Sequence, residues 1–179
     1  MISAAGKKRH ARQNHVPMCG YPTTVNGTSH ADHAWTPLAA VEPDREYVVM
    51  ATRFLLSRHR YIPAFVRSTQ AIWPGLTRSD GLFGYSLSAD VTRRTFCTLS
   101  VWRDGDAVEA FVRSEPHTMV VAKTRPWMVD STFVTWTVRG VQLPVNWEPV
   151  RERFHAAMRE LAAGRSDTVR PRPHHPEQR

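Results

Sequence analysis

The chain has few of the residues and motifs that identify common protein classes. It contains only 2 cysteines in 179 residues, Cys19 and Cys97. No apolar run approaches the roughly 18 to 20 residues of a membrane helix, and no signal-peptide stretch follows the basic residues 7–12. We therefore expect two reduced thiols, a cytoplasmic protein and no membrane partner. Glycine-rich phosphate loops, nucleophile elbows and paired-carboxylate motifs for hydrolysis are absent from the sequence.

Positive charge exceeds negative charge but is not concentrated in one segment. The chain has 24 Lys and Arg against 16 Asp and Glu, a formal net charge of +8. Small basic clusters occur at residues 7–12 and at Arg93 and Arg94. Aromatic residues do not alternate with them, as they do in surfaces that stack bases. We therefore expect no specific nucleic-acid partner.

Both ends of the chain lack a hydrophobic period. Residues 1–44 and 165–179 contain several of the 13 prolines and many small polar residues, a composition that disfavours a packed core. We predict a disordered basic leader at residues 1–44, a folded domain at residues 45–164 and a disordered tail at residues 165–179.

The middle of the chain alternates between the periods of strands and helices. Four strands are predicted, at residues 47–55, 83–88, 95–102 and 132–138. A helix is predicted after the first strand, after the third and after the fourth, the last of them at residues 147–163 with a stop at Gly164. This order, βαββαβ followed by a helix, predicts an α+β fold of the ferredoxin-like type.

Local signals set the expected ends of the two crossover helices. Ser57 is the predicted cap of the first, which ends at Pro74. Asp104 or Asp106 caps the second. Because a proline inside a helix costs about 3 kcal/mol, we expect this helix to break at Ser114 and to restart two residues later.

Both faces of the predicted sheet carry large apolar side chains. In the third strand Phe96 and Trp102 point to one face, while Leu99 and Val101 point to the other. Exposing such a face would cost roughly 25 cal/mol per Å² of apolar surface, so something should cover it. A second copy of the chain is the simplest cover and predicts a homodimer; partial cover by the last helix is the alternative.

Several segments resemble one family. They are residues 98–102 (TLSVW), 107–113, the pair Pro116 and His117, residues 125–127 (RPW) and residues 136–144. Together they resemble the dimeric α+β barrel superfamily over residues 46–163. The similarity is greatest to small uncharacterised bacterial proteins grouped with the antibiotic-biosynthesis-monooxygenase-like domains. Spheroidene-monooxygenase-like proteins share the Ser-x-Trp, the Phe and the His.

The resemblance implies a dimeric α+β barrel that binds an apolar or aromatic small molecule. The implied activity is monooxygenase-like, without a bound cofactor, on an aromatic or polyketide-like substrate that loses a proton and then reacts with dioxygen. One alternative is a haem-binding protein of the same fold, degrading haem or using it as an oxygenase. Another is a noncatalytic dimeric binding protein, in which side chains fill the space between sheet and helices.

His117 is the first candidate catalytic residue. A helix that restarts near Pro116 places the imidazole at a helix N-terminus, where the dipole disfavours a second proton. The neutral ring is then able to accept a proton or bind a metal. A capping or packing histidine is the other interpretation. In haem-degrading relatives the iron-ligating histidine typically lies later in this segment, which argues against haem here.

Arg53 and Tyr85 are the other candidate catalytic residues. An inward-facing Arg53 would require a carboxylate or an anionic substrate group, whereas a strand-end arginine would extend into solvent. Tyr85 could donate a hydrogen bond to a flat substrate. The candidate pocket walls are tryptophans, which packing in the core would also explain: Trp73, Trp102 and Trp127, with Trp136 as a further possibility.

Other polar residues are weaker candidates. His59 and Arg67 lie on the first helix and fit a solvated face. The spacing of His30 and His33, with Cys19 and His15 upstream, resembles half a zinc site. Zinc requires four ligands in fixed geometry, so we predict no metal site.

Overall fold

The computed structural model describes residues 30–167, which form six strands and five α-helices. In chain order these are β1 (His30–Asp32), β2 (Thr36–Pro37), β3 (Glu46–Leu56), α1 (Ile62–Gln70), α2 (Trp73–Leu76), β4 (Leu82–Asp90), β5 (Thr95–Trp102), α3 (Gly105–Arg113), α4 (His117–Thr124), β6 (Met128–Arg139) and α5 (Trp147–Asp167).

The strands form one antiparallel sheet in the order β1-β4-β5-β3-β6, and β2 also pairs with β4. Of the four long strands, β3 lies between β5 and β6, so the strand that begins the βαββαβ unit is central. This is the strand order of a ferredoxin-like fold. The predicted α+β fold class is therefore confirmed.

Local capping explains the crossover helices after β5. Of the two predicted caps, the structure uses Asp104, whose Oδ1 accepts a hydrogen bond from the backbone N–H of Ala107 at 2.8 Å. The chain leaves the helix at Ser114, and α4 begins at His117, as predicted.

The first crossover differs from the prediction. α1 begins at Ile62 rather than after Ser57, and the expected single helix is divided into α1 and α2. Ser57 does not cap a helix; its Oγ donates to the carbonyl oxygen of Trp127 at 3.0 Å. Pro74 lies in the first turn of α2, where its missing N–H costs nothing.

The two faces of the sheet are covered by different helices. Helices α1 to α4 pack on the face that carries Phe96 and Trp102. The opposite face packs against α5, in a core made of Tyr47, Val49, Ala51, Leu99, Val101, Val138, Trp147, Val150 and Phe154. A cover for this face was expected, but α5 of the same chain provides it. This face therefore needs no second copy to cover it, as in the alternative of cover by the last helix, and the homodimer stays a prediction.

Residues 30–44 were expected to belong to an unstructured leader, and they differ from that expectation. β1 and β2 pair with β4, and Trp35 and Val41 pack against the core beneath α5. Gly84 makes this possible, because a Cβ there would lie 2.3 Å from the Trp35 ring. The rest of the predicted leader, and residues 168–179 of the tail, lie outside the described residues.

At the other end of the domain α5 continues through Gly164 to Asp167, past the predicted stop. A glycine costs about 1 kcal/mol in a helix but does not by itself end one. Among residues 30–167, no helix has the length and apolar character that crossing a membrane requires.

Candidate functional site

A cavity of about 440 Å³ lies between the sheet and helices α1 to α4. Its floor is formed by β3, β4 and β5, and its walls by the four helices and the start of β6. Most of its lining is apolar or aromatic. The residues that define its shape are Met50, Thr52, Phe54, Phe65, Thr69, Trp73, Tyr85, Phe96, Thr98, Ser100, Phe111, His117, Val120, Thr124, Arg125 and Phe133.

Small side chains at the centre of the sheet create this space. Thr52 and Thr98 are directly opposite each other on β3 and β5, and Ser100 is opposite Met50 one step along. Phe54 and Phe96 form the next pair on the same face. Since alternate residues share a face, the small side chains of Thr52, Thr98 and Ser100 leave a hollow beside the bulky pair. The space between sheet and helices is thus not filled by side chains.

Three hydroxyl groups that line the cavity bond to their own chain. Ser100 Oγ accepts a hydrogen bond from Trp102 Nε1 at 2.8 Å. Thr69 Oγ1 donates to the Val66 carbonyl at 2.9 Å, and Thr124 Oγ1 donates to the Val120 carbonyl at 2.8 Å. These bonds satisfy the hydroxyls locally, so the cavity is suited to an apolar molecule.

His117 lines the cavity wall at the first position of α4. Its Nδ1 lies 2.9 Å from the carbonyl oxygen of Val112. A carbonyl can only accept, so Nδ1 carries the hydrogen and Nε2 is the basic nitrogen of the neutral ring. Burial lowers the pKa of His117 below its ordinary value, and the Val112 hydrogen bond opposes this shift. The neutral form of the ring is therefore favoured.

Trp73 and Tyr85 lie together on the cavity wall, with ring centroids 4.9 Å apart. Tyr85 is buried. The indole Nε1 of Trp73 is also buried, and it has no hydrogen-bond partner among the described residues. A buried N–H without a partner costs about 1 to 3 kcal/mol, so an oxygen acceptor that came within reach of it would be favourable.

The structure does not bring Arg53 to this cavity. Odd-numbered residues of β3 face α5, because side chains alternate along a strand. Arg53 NH1 pairs with Asp130 Oδ2 at 3.4 Å on that face. Of the three predicted catalytic residues, His117 and Tyr85 line the cavity and Arg53 does not.

Among the predicted tryptophan walls only Trp73 lines the cavity. Trp102 is fully buried and packs against Phe111 as part of the core. Trp127 stacks on Tyr61 outside the cavity, with ring centroids 5.9 Å apart. Trp136 lies on the α5 face, where the Arg153 guanidinium is 4.5 Å from its ring centroid.

The remaining candidates lie away from the cavity. His59 is exposed, with Nε2 3.1 Å from the Thr92 carbonyl, and Arg67 is exposed. His30 is in β1, while Cys19 and His15 lie outside the described residues. Within residues 30–167, no three potential ligands among His, Cys, Asp and Glu are grouped to hold a metal ion.

The comparisons with known proteins give no match to a family model or to a curated protein. Solved structures with a similar fold include a candidate monooxygenase from Lactobacillus acidophilus, at 9% identity and a TM-score of 0.48, covering 63% of this chain and 50% of the other. The chain thus spans about half the length of that protein.

Shorter solved structures match over nearly their whole length. A variant of SnoaB, a cofactor-independent oxygenase from Streptomyces nogalater, is 19% identical, with a TM-score of 0.42 over 55% of this chain and 97% of the other. A candidate antibiotic biosynthesis monooxygenase from Nitrosomonas europaea is 16% identical, with a TM-score of 0.44 over 50% and 95%. Antibiotic-biosynthesis-monooxygenase-like proteins, the group that the sequence resembles, are therefore among the structural neighbours. Strand order and register, described above, establish the fold.

Proposed function

We propose that the chain binds a flat apolar or aromatic small molecule in this cavity and oxidises it with dioxygen, without a bound cofactor. The observation that supports this most directly is the pairing of an apolar cavity with one neutral imidazole. The Nδ1 of His117 is committed to Val112, and partial burial lowers the pKa of the ring, which favours its neutral form. Such a ring is a general base in a water-poor site.

The proposed reaction converts an activated methylene into a ketone. His117 Nε2 takes one proton from the methylene carbon, and the carbanion transfers electrons to dioxygen as a carbon–oxygen bond forms. The resulting hydroperoxide loses the second methylene hydrogen and breaks its O–O bond, which releases water. Overall, CH₂ and O₂ give C=O and H₂O; the carbon is oxidised and both oxygen atoms are reduced.

Trp73 is suited to stabilise the charge that forms when the proton leaves. In an aromatic ketone that charge is shared with the carbonyl oxygen, and the unpartnered Nε1–H of Trp73 is a donor for an oxygen of this kind. The ring of Tyr85, packed against Trp73, limits how the substrate can lie.

The test is oxygen consumption with a tricyclic aromatic ketone that has an acidic methylene. Wild-type protein should consume oxygen and place one atom of ¹⁸O₂ in the product. His117→Gln should lower kcat about 10²- to 10⁴-fold, because it removes the base. His59→Gln, which changes an exposed histidine outside the cavity, is the matched control. Equal kcat values for His117→Gln and wild type would exclude this role.

A haem protein of the same fold is the second candidate, and one observation favours it. A histidine that donates Nδ1–H to a backbone carbonyl presents Nε2 to a metal, and His117 has this arrangement. If haem were bound there, His117 Nε2 would hold its iron, and the iron would supply the oxygen chemistry. Titration with haem should then give a Soret band that His117→Ala abolishes. An unchanged haem spectrum would exclude this alternative.

A further inference from the structure

One end of the cavity differs from the rest of its lining in charge. Arg125 is the one residue with a permanent charge among the described side chains that line the cavity. It follows α4 directly and begins the short 3₁₀ turn Arg125–Trp127, in which Pro126 restricts the backbone. Thr124 and Met128 line the cavity beside it. A cation therefore lies where this end of the cavity meets the protein surface.

Arg125 has no carboxylate partner in the described part of the chain. Asp90 and Asp130, two acidic residues at one end of the sheet, are already paired. Asp90 Oδ2 is 3.1 Å from Arg93 NH1, and Asp130 Oδ2 is 3.4 Å from Arg53 NH1. The guanidinium of Arg125 is exposed and available to a ligand.

Further arginines converge on the same end through Ser57. The backbone N–H of Ser57 donates to the Trp127 carbonyl at 2.8 Å, and Arg94 NH1 donates to the Ser57 carbonyl. Arg58 follows Ser57 in the chain. Arg60 lies over the Tyr61 ring, 5.0 Å from its centroid, and that ring stacks on Trp127. Of these arginines only Arg125 lines the cavity, and the others are linked to the turn that it begins. We call the four together the basic rim: Arg58, Arg60, Arg94 and Arg125.

We propose that the molecule held in the cavity carries an anionic group, a carboxylate or a phosphate, which pairs with Arg125 at the basic rim. The inference rests on the proposed function, because it states the charge at one end of the ligand proposed there. The apolar body fills the cavity near Trp73 and His117, and the anion stays at the rim, where it keeps part of its hydration. A guanidinium can bind either anion through two parallel hydrogen bonds. The other rim arginines raise the local concentration of anions and speed association.

The test compares three ligands with the same aromatic body by calorimetric titration. These are 2-naphthoic acid, 2-naphthyl phosphate and the neutral methyl ester of 2-naphthoic acid. Wild-type protein should bind at least one of the anions about tenfold more tightly than the ester, and added salt should reduce this advantage. The stronger anion identifies the source of the charge as a carboxylate or a phosphate.

Three variants locate the effect. Arg125→Gln should weaken binding of the preferred anion about tenfold and change binding of the ester less than twofold. Arg67→Gln, an exposed arginine outside the cavity, should leave both unchanged. Thr98→Phe, which narrows the cavity from its floor, should weaken all three ligands, with circular dichroism used to check the fold.

The outcomes separate this inference from the proposed function. If the ester binds wild-type protein as tightly as both anions, the anionic group is wrong while binding of an aromatic body in the cavity stands. An equal loss for anion and ester in Arg125→Gln also overturns the role of Arg125. If none of the three ligands binds, the inference and the proposed binding function both fail.

Discussion

The imidazole of His117 combines two properties that depend on separate contacts. The Val112 carbonyl fixes which nitrogen carries the hydrogen, while burial lowers the pKa of the ring. The first property depends on the break between α3 and α4, because Val112 belongs to the last turn of α3 and His117 to the first position of α4. The basic nitrogen is therefore a product of the helix break that the sequence predicts around Ser114.

The lowered pKa of His117 predicts a pH dependence of stability. In the unfolded chain the imidazole has its ordinary pKa of about 6.5. Below that pH the unfolded chain binds more protons than the folded one, so folding becomes less favourable as pH falls. Urea unfolding near neutral pH and near pH 5 should show a larger loss of unfolding free energy for wild type than for His117→Gln. Equal losses would contradict the proposed burial of the ring.

Cys97 should be an unreactive thiol. Burial raises its pKa to about 11, although the nearby Arg53 opposes this shift. Near pH 8 its thiolate fraction should be roughly a hundredfold or more below that of a free cysteine. In a Cys19→Ser background, a thiol reagent should modify the native protein slowly and the urea-unfolded protein fast. Fast modification of the folded protein would contradict this prediction.

At the scale of elements, helix ends were predictable where a local signal determines them. Asp104 caps α3 through one hydrogen bond to a residue three positions later, which a single sequence reveals. The start of α1 was not predictable, because Ser57 donates its hydrogen bond to the Trp127 carbonyl, 70 residues away in the chain. A hydrogen bond between residues so far apart in the chain cannot be recognised from the local sequence pattern. The docking of β1 and β2 was missed for the same reason, since their partner β4 lies far along the chain.

Helix α5 should stabilise the protein through its first turns alone. Phe154 is almost fully buried against the sheet, while Leu161 on the same helix is half exposed. Phe154→Ala should lower the free energy of unfolding by about 3 to 5 kcal/mol, through lost burial and the cavity it leaves. Leu161→Ala should change it by no more than about 0.5 kcal/mol. Chemical unfolding of both variants measures the difference, and similar losses would contradict the packing of α5.

At the scale of the whole molecule, the sequence correctly indicated two apolar faces but not what covers them. Because side chains alternate along a strand, the sequence alone places Phe96 and Leu99 on opposite faces of the sheet. Choosing between α5 and a second copy requires knowing where the chain goes after β6.

The candidate site was also predictable only in part. His117, Trp73 and Tyr85 stand out by type, whereas Thr52 and Thr98 become a cavity floor only once the register places them opposite each other.

Removing α5 should make the chain associate. A variant that ends at residue 146 exposes the face of Val49, Leu99 and Val101, and an apolar surface of that size favours self-association. Native mass spectrometry should show dimers or larger species for this variant. A variant ending at residue 160 keeps the packed turns of α5 and should match the full-length chain. Native mass spectrometry of the full-length chain also tests whether it forms the predicted homodimer. A shortened chain that remains folded with the full chain's subunit number would contradict the covering role of α5.

The position of α5 at the end of the fold has a consequence for biosynthesis. A ribosome completes every strand of the sheet before it adds Val150 and Phe154. Until α5 has left the ribosome and packed, the nascent domain has an uncovered sheet face, the kind of surface that binds chaperones and aggregates. A delay before α5 emerges should therefore lower the yield of native protein, whereas a delay of equal length after α5 has packed should not.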